Sequence, residues 1–99
     1  MTRPAYVLAR VAVHDPDAYE AYKTAAAESI AAAGGRYLVR GGALSRLEGA
    51  PGEVRRLVIL EFPDRAAAEA WYAGPAYQAA RAHRLGGVAD ATLELVEGL

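Results

Sequence analysis

Val54-Arg55-Arg56-Leu57-Val58-Ile59-Leu60-Glu61-Phe62-Pro63-Asp64 is the stretch from which the fold can be read. Apolar residues fall on both of its faces, the pattern of a strand covered on two sides. Pro63 cannot donate to a continuing ladder and Asp64 can cap a helix, so a strand ends here and a helix begins. Ala67, Ala70 and Trp71 give that helix its buried stripe. Gly74-Pro75 interrupts it, and a short helical continuation is expected over Ala76 to Arg84. Gly86-Gly87 then precedes a last strand, Asp90 to Glu97, with Leu93 and Leu95 on one face.

The same grammar runs back toward the N-terminus. Ala5 to Val13 is a second strand apolar on both faces, with Val7, Ala9, Val11 and Val13 on one and Tyr6, Leu8 and Ala12 on the other. Asp15-Pro16 opens a helix that runs to Gly34, with Tyr19, Tyr22, Ala26, Ile30 and Ala33 on its buried side. Arg36 to Arg40 alternates like a half-buried strand, with Tyr37 and Val39 facing one way. Gly41-Gly42 ends it, and a loop containing Glu48-Gly49-Ala50-Pro51-Gly52 leads back to Val54. The order β-α-β-β-α-β predicts one ferredoxin-like α+β domain over residues 1–99. Its four-stranded antiparallel sheet has the doubly apolar first and third strands at the centre and the alternating ones at the edges.

Two helices cover one face of such a sheet. Leu8, Ala12 and one side of Val54–Phe62 stay apolar on the other, which predicts a homodimer formed sheet to sheet. Burying about 800 Å² per partner is normal for a specific dimer. A net charge of −1, with ten arginines spread among acids, gives no footprint for nucleic acid. No apolar run approaches the ~20 residues that span a bilayer, and the N-terminus lacks the apolar core of a secretory signal. Cytoplasmic residence without membrane contact is therefore expected. The chain has no cysteine, which removes thiolate metal sites, disulfides and a cysteine nucleophile.

Six motifs carry a family resemblance: Asp15-Pro16-Asp17-Ala18-Tyr19, Gly34-Gly35-Arg36-Tyr37-Leu38-Val39-Arg40-Gly41-Gly42, Leu47-Glu48-Gly49, Glu61-Phe62-Pro63, Trp71-Tyr72 with Pro75-Ala76-Tyr77-Gln78, and Val96-Glu97-Gly98. Together they resemble the domain-of-unknown-function family DUF1330 of the dimeric α+β barrel superfamily. The resemblance covers nearly the whole chain. It implies a ferredoxin-like subunit and a barrel made from two sheets, and names no reaction. Members of the superfamily include cofactor-free monooxygenases, muconolactone isomerases, heme-dependent peroxidases and ligand-sensing domains.

The chemistry-bearing residues are few. His14 with Asp15 and Asp17 is better read as a helix start than as a metal site, and His83 sits near a helix end beside Arg81 and Arg84. Tyr22, Tyr37, Trp71, Tyr72 and Tyr77 come from elements expected to converge between sheet and helices. An apolar pocket there, with Arg40 or Arg81 as a forked anion holder, would suit a small organic carboxylate or aromatic ligand and needs no cofactor. Glu61, at the end of a buried strand, is the candidate general base; its alternative is an ion pair with Arg36 or Arg40 across the hairpin. Two functions fit this set. One is a cofactor-free enzyme acting on a small organic acid. The other is a non-catalytic ligand-binding or assembly module in which the same residues only hold the dimer.

Overall fold

Both helix starts form as the sequence requires. Asp15 accepts from the Ala18 backbone N at 3.1 Å, and Asp64 from that of Ala67 at 2.8 Å. The computed structural model describes residues 2–99. Its elements are β1 (Ala5–Val13), α1 (Pro16–Ala32), β2 (Arg36–Arg40), β3 (Arg56–Phe62), α2 (Arg65–Ala73), α3 (Pro75–Ala82) and β4 (Ala89–Glu97). The sheet order is β2-β3-β1-β4, with every ladder antiparallel. The two doubly apolar strands therefore sit at the centre, where their composition put them.

Alternation divides the sheet cleanly. Val7, Ala9, Val11, Leu60 and Phe62 are buried on the helix side. Tyr6, Leu8 and Ala12 of β1, with Leu57 and Ile59 of β3, are half-buried on the outer side. Two ion pairs, Arg10 with Glu94 and Arg36 with Glu61, flank that outer apolar strip.

Element ends differ from the sequence reading in physically simple ways. β3 begins at Arg56 rather than Val54, and residues 41–55 form one long loop, almost entirely exposed. α1 stops at Ala32, two residues short of Gly34, and α3 stops at Ala82 rather than Arg84. Gly34 supplies the left-handed turn after α1 (φ +81°), and the Gly35 N–H returns to the Ile30 carbonyl at 2.9 Å.

The larger correction is in β2. Strict alternation would place Tyr37 and Val39 on one face. Instead a bulge at Leu38 puts Tyr37 opposite Leu60 and Val39 opposite Ile59, so Val39 faces outward. Arg40, opposite Val58, is thereby turned to the helix face with Tyr37. Periodicity cannot reveal a bulge, because one extra residue inverts everything after it.

Gly35 yields a prediction through space rather than backbone angle. A Cβ there would lie 2.6 Å from the ring of Phe62 and 3.0 Å from Cγ2 of Ile30, both fully packed. Gly35→Ala should cost about 1–3 kcal/mol by overpacking. Denaturant unfolding checks this, and an unchanged midpoint would contradict it.

Candidate functional site

The space between the helices and the sheet is split in two. One part is a cleft of about 370 Å³, opening beside β4. Ala91, Leu93 and Leu95 of β4 form its floor, Ala68, Glu69, Trp71 and Tyr72 of α2 one wall, and Arg81 and Arg84 its cationic end. That volume is within the range of about 300–1,000 Å³ typical of small-molecule sites. The other part is a cavity of about 30 Å³ under α1, lined by Tyr19, Tyr22, Tyr37, Arg40 and Arg56 among others. It has room for one or two water-sized groups. Trp71 and Leu93 line both spaces.

The residues expected to converge are thus distributed over two chambers. Trp71, Tyr72 and Arg81 reach the cleft, and Tyr22, Tyr37 and Arg40 reach the cavity. Tyr77 is fully buried between them, its ring 4.3 Å from Trp71 and 5.4 Å from Tyr72. Its hydroxyl lies 3.0 Å from that of Tyr22, and Arg84 reaches it over a long 3.5 Å.

Glu61 is not brought to either chamber. Its register partner on β1 is Tyr6, so it stands on the outer sheet face, where Arg36 Nε donates to it at 2.7 Å. The cause is alternation: with Leu60 and Phe62 turned to the core, the residue between them must face outward. Two acids do line the cleft: Glu69 accepts from Arg65 Nε at 2.7 Å, and Glu94 is paired with Arg10.

Sequence reasoning missed Arg84 and Arg56. Arg84 is only 6% exposed, and its Nε, like those of Arg81 and Arg56, is buried without a hydrogen-bond partner. No carboxylate pairs with any of these three among the described residues. Helical spacing held the signal for Arg84: Tyr77, Arg81 and Arg84 recur at intervals of four and three. Strand alternation held it for Arg56, which shares a face with Val58, Leu60 and Phe62.

Burial pushes the Tyr22 phenol well above its ordinary pKa, and the neighbouring Tyr77 adds to the effect. Burial also raises Tyr19 and Tyr37. The folded state therefore keeps these protons after the unfolded chain begins to lose them near the ordinary value of 10.0. Their contribution to stability is intact below that pH and is lost as pH rises through the folded values. Unfolding free energy should fall steeply above pH 10.0, and Tyr22→Phe should make the fall shallower. Denaturant titrations followed by circular dichroism at several alkaline pH values check this; equal slopes for the two proteins would contradict it.

A family model described as a domain of unknown function, DUF1330, matches residues 4–99. No protein of curated function matches. A crystal structure of a protein of unknown function from Rhodopseudomonas palustris is 27% identical, covering 100% of this chain and 85% of that one, with a TM-score of 0.75. SnoaB, a cofactor-independent oxygenase from Streptomyces nogalater, is 16% identical over 99% of this chain and 95% of its own, with a TM-score of 0.68. A dimeric ferredoxin-like protein of unknown function from Thermobifida fusca is 18% identical over 99% of this chain and 93% of its own, at a TM-score of 0.64. Identities this low in the last two speak to the fold alone. Among the described residues, no helix is long and apolar enough to cross a membrane.

Proposed function

The chain belongs to the DUF1330 family of domains of unknown function, and from that footing we propose that it binds a small organic carboxylate, aromatic for preference, in the cleft between β4 and the α2–α3 pair. One observation carries the reading: Arg84 is almost wholly buried, its Nε has no partner, and it lines an organic-sized cleft beside the half-buried Arg81, whose Nε is likewise unpartnered. A buried donor left unpaired costs roughly 1–3 kcal/mol, and more when charged. A carboxylate at the cationic end would pair with both guanidiniums at once. Trp71 and Tyr72 flank the apolar remainder, where a ring would lie.

The proposal assigns no general base and no cofactor. Glu69 is paired with Arg65 and Glu94 with Arg10, and Glu61 stands on the other side of the sheet with Arg36. The binding unit is a homodimer joined through the outer sheet face. The apolar strip of Leu8, Leu57 and Ile59 supports this, as does the dimeric description of the Thermobifida fusca neighbour.

The test compares benzoate with its neutral isostere benzamide by isothermal calorimetry. Benzoate should bind and benzamide should bind at least about tenfold more weakly, because one charge-assisted hydrogen bond contributes roughly 1.5–3 kcal/mol. Arg81→Gln, at the more open end of the pair, should weaken benzoate by a similar factor. Equal affinity for acid and amide, or an unchanged affinity in the variant, would sink the reading.

A further inference from the structure

Arg84 is a buried cation with no carboxylate beside it among the described residues. A charge taken out of water persists only where other groups offset its lost hydration. Its guanidinium meets two phenols. Nη2 donates to the Tyr77 hydroxyl over a long 3.5 Å, and Cζ lies over the Tyr22 ring, 5.6 Å from its centre. A guanidinium within about 6 Å of an aromatic face is attracted to it, more strongly where water is excluded. Burial alone would lower the Arg84 pKa, but Tyr77 and Tyr22 turn the net shift upward.

The two tyrosines come from different helices. Tyr77 is on α3 and Tyr22 is on α1. Their hydroxyls lie 3.0 Å apart and their rings meet edge to face. Tyr77 is fully buried, with Trp71 packed 4.3 Å away, so the oxygen that receives Nη2 is itself locked. The backbone fixes the other end of the arginine. Arg84 N donates to the Arg81 carbonyl at 3.0 Å, and Ala89 N donates to the Arg84 carbonyl at 3.1 Å. Neither tyrosine lines the cleft, and no residue of α1 does; Tyr22 opens on the other chamber.

We propose that Tyr22 is a positioning residue for carboxylate recognition: from outside the cleft it, together with Tyr77, holds the Arg84 guanidinium charged and in place at the cationic end. The cleft's preference for an acid then depends on α1, a helix that contributes nothing to its walls. This role rests on the carboxylate reading of the cleft.

The test is the benzamide-to-benzoate ratio of dissociation constants, measured by calorimetry for the parent protein and for Tyr22→Leu and Tyr22→Phe. Tyr22→Leu removes the ring face and the hydroxyl, and should lower the ratio at least about threefold. Benzamide itself should change by less than about twofold, because the apolar lining is untouched. Tyr22→Phe keeps the face and should retain most of the ratio. A merely structural role would weaken both ligands together, so an unchanged ratio in Tyr22→Leu overturns the proposal. Tyr77→Phe keeps its ring and loses only the oxygen that receives Nη2; its ratio should fall too, and it serves if the leucine variant does not fold. A second readout needs no ligand. The Arg84 Nε–H resonance, identified by its absence in Arg84→Lys, should lie apart from the bulk arginine signal and exchange slowly, and should join that signal in Tyr22→Leu. Persistence of the shifted, slow resonance there would also overturn the role. A parent protein that does not distinguish acid from amide removes the carboxylate reading and this role with it. A parent that does, beside a leucine variant that discriminates equally well, removes the role of Tyr22 alone.

Discussion

Trp71→Ala is expected to remove about 3–5 kcal/mol of stability, the largest loss we foresee for a single side chain. Trp71 is the joint of the core. Its ring lies 5.2 Å from Phe62 and 4.3 Å from Tyr77, and its Nε1 donates to Ser29 Oγ at 3.1 Å. Ser29 is itself buried and donates to the Ala26 carbonyl, so the bond ties α2 to α1 inside the protein. Truncation deletes the aromatic contacts and leaves the serine oxygen without its donor. It also merges the cleft with the cavity, since Trp71 lines both. Domains of this size are stable by about 5–15 kcal/mol, so a large share of the total is at stake. The melting temperature should drop by roughly 15–30 °C. Trp71→Phe keeps most of the volume and loses only the N–H, and should cost about 1–2 kcal/mol. A loss below that figure for the alanine variant, measured by denaturant titration, would show that the core does not depend on this residue.

Ile59→Asp should abolish dimerisation while leaving the subunit folded. Ile59 is half-buried on the outer sheet face, with Leu8 beside it on β1 and Val39 on β2. A two-fold interface would meet each substitution twice, placing two carboxylates in an apolar contact. Each unpaired buried charge costs several kcal/mol, against a gross apolar drive on the order of ten kcal/mol or more for a standard interface. Light scattering should give the parent protein twice the chain mass of 10.4 kDa and the variant that mass alone. Calorimetric unfolding of the variant should still be cooperative. A monomeric parent protein, or a dimeric variant, would remove the outer face as the interface.

Much of this architecture was legible in the residues. β1 and β3 had to be central because Val7, Leu8, Ile59 and Leu60 leave no face for water. Asp15 and Asp64 announced their helices, and Gly74-Pro75 announced the break between α2 and α3. The site was legible only in part. Aromatic residues were expected to gather, and they do, but Tyr77 stands between two spaces rather than inside one. Glu61 drew attention as a carboxylate beside a core residue, although the turn of Phe62 to the core already assigned it to the other face. The bulge at Leu38 arises from how β2 meets β3, which no local pattern records, whereas the spacing of Tyr77, Arg81 and Arg84 did place Arg84 on the helix face that is buried.

One more property follows from the sheet order. All three ladders, β1 with β3, β1 with β4 and β2 with β3, join the half of the chain ending at Arg40 to the half starting at Arg56. Neither half has a hairpin of its own to begin from. During synthesis the sheet must therefore wait for the C-terminal half, and folding will be slow for so small a protein. The long loop between the halves is a natural place to divide the gene. Two fragments made separately should be inert apart and regain the native sheet only on meeting, an all-or-none complementation that could report on the proximity of whatever each is fused to.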